Sequence, residues 1–186
     1  MGSVGTIPPG SGDSSAGPAK GGKGGKAKGK GGKGRKKKKQ KDKMKCGESG
    51  KYGDLKKKTG DNKFDRDHVP SKASLKERAR NLNDGDKLCA KQAQAVDNVA
   101  NAIAIPKWAH SYFSPTYGSR NTPDRIRQDA RAPQAAAKRD TAAMKKAMKD
   151  KGASKECQKA YAKWANKINN ITPKQYDQML RKAVGK

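Results

Sequence analysis

Residues 64–71 of this chain read FDRDHVPS, and residues 103–121 read IAIPKWAHSYFSPTYGSRN. The two stretches contain both histidines of the sequence, His68 in the first and His110 in the second. Four of the nine aromatic residues also lie in the second stretch. Because the chain has few other large apolar side chains, this concentration predicts a well-packed scaffold around His110.

The same stretches predict the order of secondary structure around the histidines. Residues 63–69 are expected to form a short strand after an irregular, glycine-rich segment. Residues 103–105 are β-branched or small and precede Pro106, which favours a second strand. Proline suits the first turn of a helix, so a short helix is expected over residues 107–113. Turn-forming residues then predict a loop over residues 114–124.

Helical periodicity and capping residues mark most of the remaining chain. Two helices are expected between the strands, one with a capping box starting at Ser74 and one capped by Asp86. Three more are expected after the loop, over residues 133–152, along an apolar stripe at residues 157–168, and from a capping box at Thr172. The predicted fold class is therefore α+β, and predominantly helical.

Composition and charge divide the chain into two parts. Its 186 residues include 45 Lys and Arg against 17 Asp and Glu, a formal charge of +28. Residues 1–45 hold 14 basic and 2 acidic residues and 13 of the 21 glycines. Such a segment cannot bury enough apolar surface to fold. We therefore expect a disordered basic linker over residues 1–45 and one domain over residues 46–186, itself with a net charge of +16.

Composition also excludes several classes of protein. No run approaches the roughly 18 consecutive apolar residues that a membrane-spanning helix needs. Three cysteines, an odd number without a CxxC pair, argue against a disulfide scaffold and against a cysteine zinc site. Cys157, which lies in an apolar stripe, is expected to be a buried free thiol. The high positive charge predicts a polyanionic partner, nucleic acid first.

The residues around the two histidines suit metal-assisted cleavage of a phosphodiester. That reaction needs a base to activate water and a cation to offset the charge of the transition state. A neutral His68 can serve as the base. Asp67, its neighbour at the strand end, can bind the metal, and His110 on the later helix can complete the ligand set.

These motifs also resemble a known family. The run DHVPS over residues 67–71, together with Ile105-Pro106, His110 and SPTYGSRN over residues 114–121, resembles HNH-like nuclease domains. This family, also called ββα-metal or His-Me finger nucleases, includes toxin domains of bacterial polymorphic toxins and type VI secretion effectors. The glycine- and lysine-rich start of the chain resembles the linkers that precede such domains.

The resemblance covers about residues 46–121 and implies a small ββα-metal core. Residues 122–186 then form a C-terminal extension of three helices. The chain departs from compact members of the family because 42 residues separate the two histidines. The helical stretch over residues 74–100 would be an insertion between the strands. The zinc cysteines of many HNH proteins are absent.

The resemblance implies roles for individual residues. His68 would be the general base, and Asp67 and His110 would hold a single divalent cation, which could be Mg²⁺, Mn²⁺, Ni²⁺ or Zn²⁺. The residues that would shape the loop or contact the scissile phosphate are Ser114, Arg120 and Asn121.

Some assignments stay open at this point. Asn98, Asn101 and Asn121 compete for the central asparagine of the family motif, and Asp65 is an alternative metal ligand. Arginine can bind phosphate bidentately, so four arginines in and after the loop are phosphate candidates. These are Arg120, Arg125, Arg127 and Arg131.

The function implied by the resemblance is that of a secreted antibacterial DNase delivered to the cytoplasm of a target bacterium. It would cut double-stranded DNA with low sequence specificity. Its other partners would be a cognate, acidic immunity protein and the upstream delivery module of a secretion system, with no membrane partner. Two other functions stay open: a nucleic-acid-binding protein without catalysis, which the charge alone supports, and an RNase whose base acts on the ribose 2′-hydroxyl without metal.

Overall fold

A computed structural model describes residues 42–186 of the chain. The linker expected over residues 1–45 therefore lies outside the described residues, except for its last four positions. Those positions belong to the fold, because Met44 is buried and its N–H donates to the carbonyl oxygen of Thr59 at 2.8 Å. The domain thus begins earlier than the charge pattern predicts.

The described chain is α+β and mostly helical, as expected. None of its helices is long and apolar enough to cross a bilayer. In chain order the elements are β1 (Ser49–Lys51), α1 (Tyr52–Leu55), β2 (Phe64–His68), α2 (Lys72–Leu82), α3 (Ala90–Val99), β3 (Asn101–Pro106), α4 (Lys107–Phe113), a 3₁₀ turn (Gly118–Arg120), α5 (Pro123–Arg131), α6 (Pro133–Asp150), α7 (Lys155–Asn169) and α8 (Pro173–Val184).

The strands form one antiparallel sheet in the order β1-β3-β2. The two expected strands are confirmed as β2 and β3, and in their register Asp67 lies opposite Ile103. The sequence does not predict β1, because its three residues read SGK and carry no β-branched or aromatic side chain. β1 pairs with β3 through the backbone of residues 49–51.

The central strand β3 divides two apolar clusters by the alternation of its side chains. Ile103 and Ile105 face α6 and α7, where they pack in one cluster with Met144 and Tyr161. Ala102 and Ala104 face the other side, with Leu55 of α1. The C-terminal helices therefore cover the sheet that carries Asp67.

The last helix closes a second core on the inserted helices. Leu180 and Tyr176 of α8 pack against Leu75 of α2 and Val96 of α3, and all four side chains are buried. The segment between β2 and β3 is thus held in place by α8. This packing fixes the start of α2, which lies directly after β2.

The inserted helices begin at other residues than the sequence predicts. Ser71, not Ser74, caps α2: its hydroxyl accepts a hydrogen bond from the Ser74 N–H at 3.2 Å. Ser74 lies inside the first turn, where its own hydroxyl donates to the Ser71 carbonyl oxygen. α3 begins after Cys89, three residues beyond the expected cap at Asp86, because Gln92 accepts from the Cys89 N–H.

The expectation of a free thiol at Cys157 is wrong. Cys157 is buried, but it forms a disulfide with Cys46, and 111 residues separate the two cysteines. Cys89 is exposed and is the free cysteine. The bond joins the segment before β1 to α7, a pairing that sequence spacing cannot reveal.

Candidate active site

A cleft of about 560 Å³ opens at the end of β2, where the chain leaves the sheet and enters α2. Four segments form its walls: β2, the first turns of α2, Tyr52 of α1, and α4 with the loop that follows it. The side chains that line the cleft include those of Tyr52, Asp65, Arg66, Asp67, His68, Lys72, Lys76, His110, Tyr117 and Asn121.

His110 lies between two carboxylates of β2. Its Nδ1 is 3.2 Å from Oδ2 of Asp65, and its Nε2 is 3.7 Å from Oδ1 of Asp67. Asp65 and Asp67 reach the same imidazole because alternate residues of a strand share one face. Burial lowers the pKa of His110, and the contact with Asp65 opposes that shift.

Asp65 selects the tautomer of His110. An ionised carboxylate only accepts hydrogen bonds, so the proton of the neutral imidazole is assigned to Nδ1. Nε2 then carries the free lone pair and points towards Asp67. A carboxylate behind a histidine in this way is the usual arrangement around metal-binding imidazoles.

Asp67 is 97% buried, in an environment that disfavours its charge. Burial raises the pKa of Asp67 to about 8, and the nearby carboxyl of Asp140 adds to the shift. The hydroxyl of Tyr161 opposes it. A buried carboxylate beside a second one is costly, so a positive charge next to Asp67 would stabilise it.

His68 ends β2 and contributes its imidazole to the same cleft. The ring packs on Tyr52, with 4.3 Å between the ring centroids. Within residues 42–186, Nε2 of His68 is buried and has no hydrogen-bond partner. Burial first, and then the charge of Lys72, lower the pKa of His68 to about 3, which keeps the imidazole neutral.

The residues that could hold a metal form a pair. In the described chain no group of three or more His, Cys, Asp and Glu side chains converges as a metal cluster. Asp67 and His110 offer one carboxylate oxygen and one imidazole nitrogen 3.7 Å apart. Asp65 faces the opposite nitrogen of His110, so it holds the imidazole in place and does not join this pair.

Arg120 lies beside the cleft, but its guanidinium forms hydrogen bonds with backbone carbonyl oxygens. It donates to the carbonyl oxygens of Tyr117 at 3.3 Å and Tyr112 at 2.5 Å, and also to that of Ser111. These bonds tie the loop after α4 to the last turn of that helix. Arg120 thereby places Tyr117, whose ring lies edge-on to the His110 imidazole with 4.8 Å between centroids.

Asn121 lines the cleft opposite the start of α2. Its Nδ2 donates to the Ser71 hydroxyl at 3.4 Å, and its buried Oδ1 has no partner among the described residues. Of the three candidate asparagines, Asn121 is the one that reaches the cleft. Asn101 lies opposite Lys51 in the sheet, and Asn98 packs beside α1.

The other residues assigned to the loop and to phosphate binding lie elsewhere. Ser114 is buried at the end of α4 and does not line the cleft. Arg125 is 3.8 Å from the carboxylate of Asp129, and Arg127 pairs with Asp124 on the same helix. Arg131 is exposed at the end of α5.

The cations of the cleft differ in what they contact. Arg66 donates to the backbone oxygens of Leu55 and Lys58, and Lys76 forms an ion pair with Asp97 at 2.9 Å. Lys72, the first residue of α2, has no carboxylate partner in the described part of the chain. Its Nζ lies 4.8 Å from the centre of the Tyr52 ring.

Sequence reasoning missed two residues of this site. Tyr52 belongs to a four-residue helix that no pattern predicts, and Lys72 is one of many lysines in a basic chain. Lys72 directly follows the true cap, Ser71, but the sequence predicts the cap at Ser74 and so does not single Lys72 out. Nothing local in the sequence points to Tyr52, because it reaches His68 from a different part of the chain.

Comparison with known proteins relates the chain to part of a much longer one. Over 105 residues, 55% of this chain, it is 35% identical to a protein named Deoxyribonuclease CdiA from Dickeya dadantii (strain 3937). The chain spans 3% of the length of that relative. No protein-family profile matches the chain, and no solved structure does.

Proposed function

We propose that this chain contains the nuclease domain of an antibacterial toxin, a metal-dependent endonuclease of the HNH type that hydrolyses DNA. The observation that carries the proposal is the convergence of Asp67, His68 and His110 on one cleft, with His110 and Asp67 side-chain atoms 3.7 Å apart. The similarity to a protein named as a deoxyribonuclease supports DNA as the substrate.

Asp67 and His110 would hold the divalent cation. The donor set fits: a buried carboxylate, and an imidazole whose Nε2 is left free by the contact of Nδ1 with Asp65. Two protein ligands suit Mg²⁺, which keeps several waters, while the imidazole also suits Mn²⁺, Ni²⁺ or Zn²⁺. When bound, the cation would supply positive charge to the phosphate in the transition state.

His68 would act as the general base. Its Nε2 takes the proton of the attacking water while the bond from the water oxygen to phosphorus forms and the ester bond to the leaving oxygen breaks. The ring of Tyr52 packs against the imidazole and holds it in place. An anionic phosphate next to Lys72 would offset the charge that lowers the pKa of His68 and so strengthen the base.

The toxin assignment implies further partners. A cell that makes a DNase of low sequence specificity needs protection, so we infer a cognate immunity protein. Its surface would be acidic, because residues 46–186 carry a net charge of +16 and complementary charge speeds association. An upstream delivery module would carry the domain to the cytoplasm of a target bacterium.

The function is tested with the purified chain on supercoiled plasmid and on RNA. Each substrate is incubated with Mg²⁺, Mn²⁺, Ni²⁺ or Zn²⁺, and with EDTA. We expect nicking and linearisation of the plasmid that stop in EDTA. Cleavage of RNA alone that persists in EDTA would instead identify an RNase, and salt-sensitive binding without cleavage would identify a binding protein. Either result contradicts the proposal.

Lys72 is expected to contact the scissile phosphate. Of the three cations that line the cleft, Lys72 is the one that has neither a carboxylate nor a backbone oxygen as partner within residues 42–186. It also lies close enough to both imidazoles to lower their pKa values. A charge-assisted hydrogen bond contributes about 1.5–3 kcal/mol, so Lys72→Ala should lower kcat/KM for plasmid cleavage about 10- to 100-fold.

Lys76→Ala is the matched control for this prediction. Lys76 lies one turn further along α2 and lines the same cleft, but it is paired with Asp97. We expect a change of less than about threefold, because pairs near the surface contribute little. A loss in Lys76→Ala as large as that in Lys72→Ala would show a general effect of charge and would contradict the specific role.

A further inference from the structure

A second depression of about 610 Å³ lies along another side of α4. Three aromatic side chains line it, those of Phe64, Trp108 and Tyr112, together with Lys63 and Lys107. We call it the aromatic groove. At 3.6 residues per turn, the groove positions of α4 lie on a different face of the helix from His110.

Exposure and charge set the aromatic groove apart from the rest of the described surface. Tyr112 is 72% exposed, and the other exposed large apolar side chain in residues 42–186 is Tyr117, at 39%. Tyr117 lines the cleft, so both exposed tyrosines flank the same short helix. No acidic side chain lines the groove, and neither of its lysines forms an ion pair within the described chain.

We propose that the aromatic groove binds a single-stranded stretch of nucleic acid. Unpaired bases would stack on Tyr112 and Trp108, and the phosphates beside them would contact Lys63 and Lys107. Aromatic rings combined with a basic groove are the usual platform for single strands, because every base has a face that stacks. An apolar peptide would satisfy the rings but would leave both lysines without a partner.

The inference rests on the proposed nuclease function, because it assigns the groove to the same substrate as the cleft. The two sites lie on either side of α4, and a helix with its side chains is about 10–12 Å across. A strand that rises about 3.4 Å per nucleotide would cross it in about three nucleotides. The substrate would therefore carry a few unpaired nucleotides next to the cleavage site, as at a frayed end, a nick or a loop.

The test measures binding in EDTA, where the proposed cleavage cannot occur. Trp164→Phe leaves Trp108 as the only tryptophan of the chain, and a short single-stranded oligodeoxynucleotide is expected to quench its fluorescence saturably. Tyr112→Ala in this background should weaken binding roughly tenfold. Replacing Lys63 and Lys107 by alanine should reduce the slope of log affinity against log salt by about 1.4, or 0.7 for each lysine.

Three controls make the result specific. Tyr112→Phe keeps the ring and should bind like the parent protein, and Lys174→Ala removes an exposed charge on α8 and should leave the salt slope unchanged. A blunt duplex of the same sequence should lose much less affinity in Tyr112→Ala, because its bases are already stacked.

Two outcomes would overturn the proposal. If the single strand neither quenches the fluorescence of Trp108 nor loses affinity in Tyr112→Ala, nucleic acid does not occupy the groove. A protein partner would then be the occupant of the groove. Equal losses for strand and duplex would contradict the preference for unpaired bases. Failure of the wild-type chain to cut DNA would contradict the proposed function, but it would not change this binding result.

Discussion

His68→Ala is expected to reduce plasmid cleavage about 10²- to 10⁴-fold, the usual contribution of a positioned general base. Nε2 of His68 is buried at the cleft and has no partner in residues 42–186, so no structural hydrogen bond is lost from that nitrogen. Because the pKa of His68 is lowered to about 3, the imidazole is already deprotonated throughout the neutral range. The loss should therefore be similar at pH 6 and at pH 8.

Chemical rescue separates a missing base from a damaged fold. The space left by the side chain lies beside Tyr52 and is open to the cleft, so added imidazole should enter it and restore part of the activity of His68→Ala. The same addition should not rescue Asp67→Asn, which retains His68. Circular dichroism and Tm of both variants establish that they are folded.

Two results for His68→Ala would contradict its role as the general base. Cleavage by His68→Ala at the wild-type rate, with the metal dependence retained, would mean that water is activated without this imidazole. Loss of activity together with a large fall in Tm would show instead that the packing of His68 on Tyr52 supports the fold, and the base would then have to be sought elsewhere in the cleft.

Much of the fold could be predicted because the helices carry strong local patterns. The capping box at Thr172 and the apolar stripe from Cys157 to Ile168 both mark real helices, α8 and α7. The strand–strand–helix order around the histidines is also confirmed. These elements depend on residues close together in sequence, which periodicity and capping describe well.

The features that escaped prediction depend on distant parts of the chain. β1 is held by backbone pairing with β3, and the Cys46–Cys157 bond joins positions 111 residues apart. Neither leaves a local pattern. At Ser74 a local pattern is present but misleads. The sequence there fits a helix cap, yet α2 begins three residues earlier, because Ser71 lies where the chain leaves β2.

The candidate site could be predicted only in part. Its residue types are rare, which makes them easy to select, but its contacts join distant parts of the chain. With two histidines in the sequence, His68 and His110 were easy to select, and the structure brings both to one cleft. Their surroundings could not be derived. Asp65 is an alternative metal ligand in the sequence, but in the structure it faces Nδ1 of His110, the nitrogen away from Asp67. Arg120, a candidate for binding the phosphate, donates to backbone oxygens instead.

Asp67→Asn should abolish metal-dependent cleavage, lowering it about 10³-fold or more, since the cation supplies several kcal/mol to the transition state. A second readout does not depend on activity. Metal at 100 times its Kd stabilises the folded state by about 2.7 kcal/mol, which raises Tm by roughly 5–10 °C in a domain of this size. We expect this rise in the wild-type chain and its loss in both Asp67→Asn and His110→Ala.

Asp65→Asn is the control for the metal-binding pair Asp67 and His110, because it should weaken metal binding without abolishing it. Asp65 orients His110 and does not face the proposed cation, so its loss should weaken metal affinity about 10- to 100-fold without abolishing it. Excess metal should then restore cleavage in Asp65→Asn and not in Asp67→Asn. Equal, irreversible losses in the two variants would contradict the separate roles given to the two carboxylates.

The metal-free stability of Asp67→Asn distinguishes a functional carboxylate from one needed for folding. Asp67 is buried next to Asp140, and both carboxyls have raised pKa values, about 8 and about 6, mainly because of burial. An amide of the same size removes the cost of burying an ionisable carboxyl, so at neutral pH Tm without metal should stay the same or rise. A variant that is inactive, no longer responds to metal and is at least as stable would mean that Asp67 is retained for binding a cation. A large fall in Tm would mean that the buried carboxyl of Asp67 supports the fold instead.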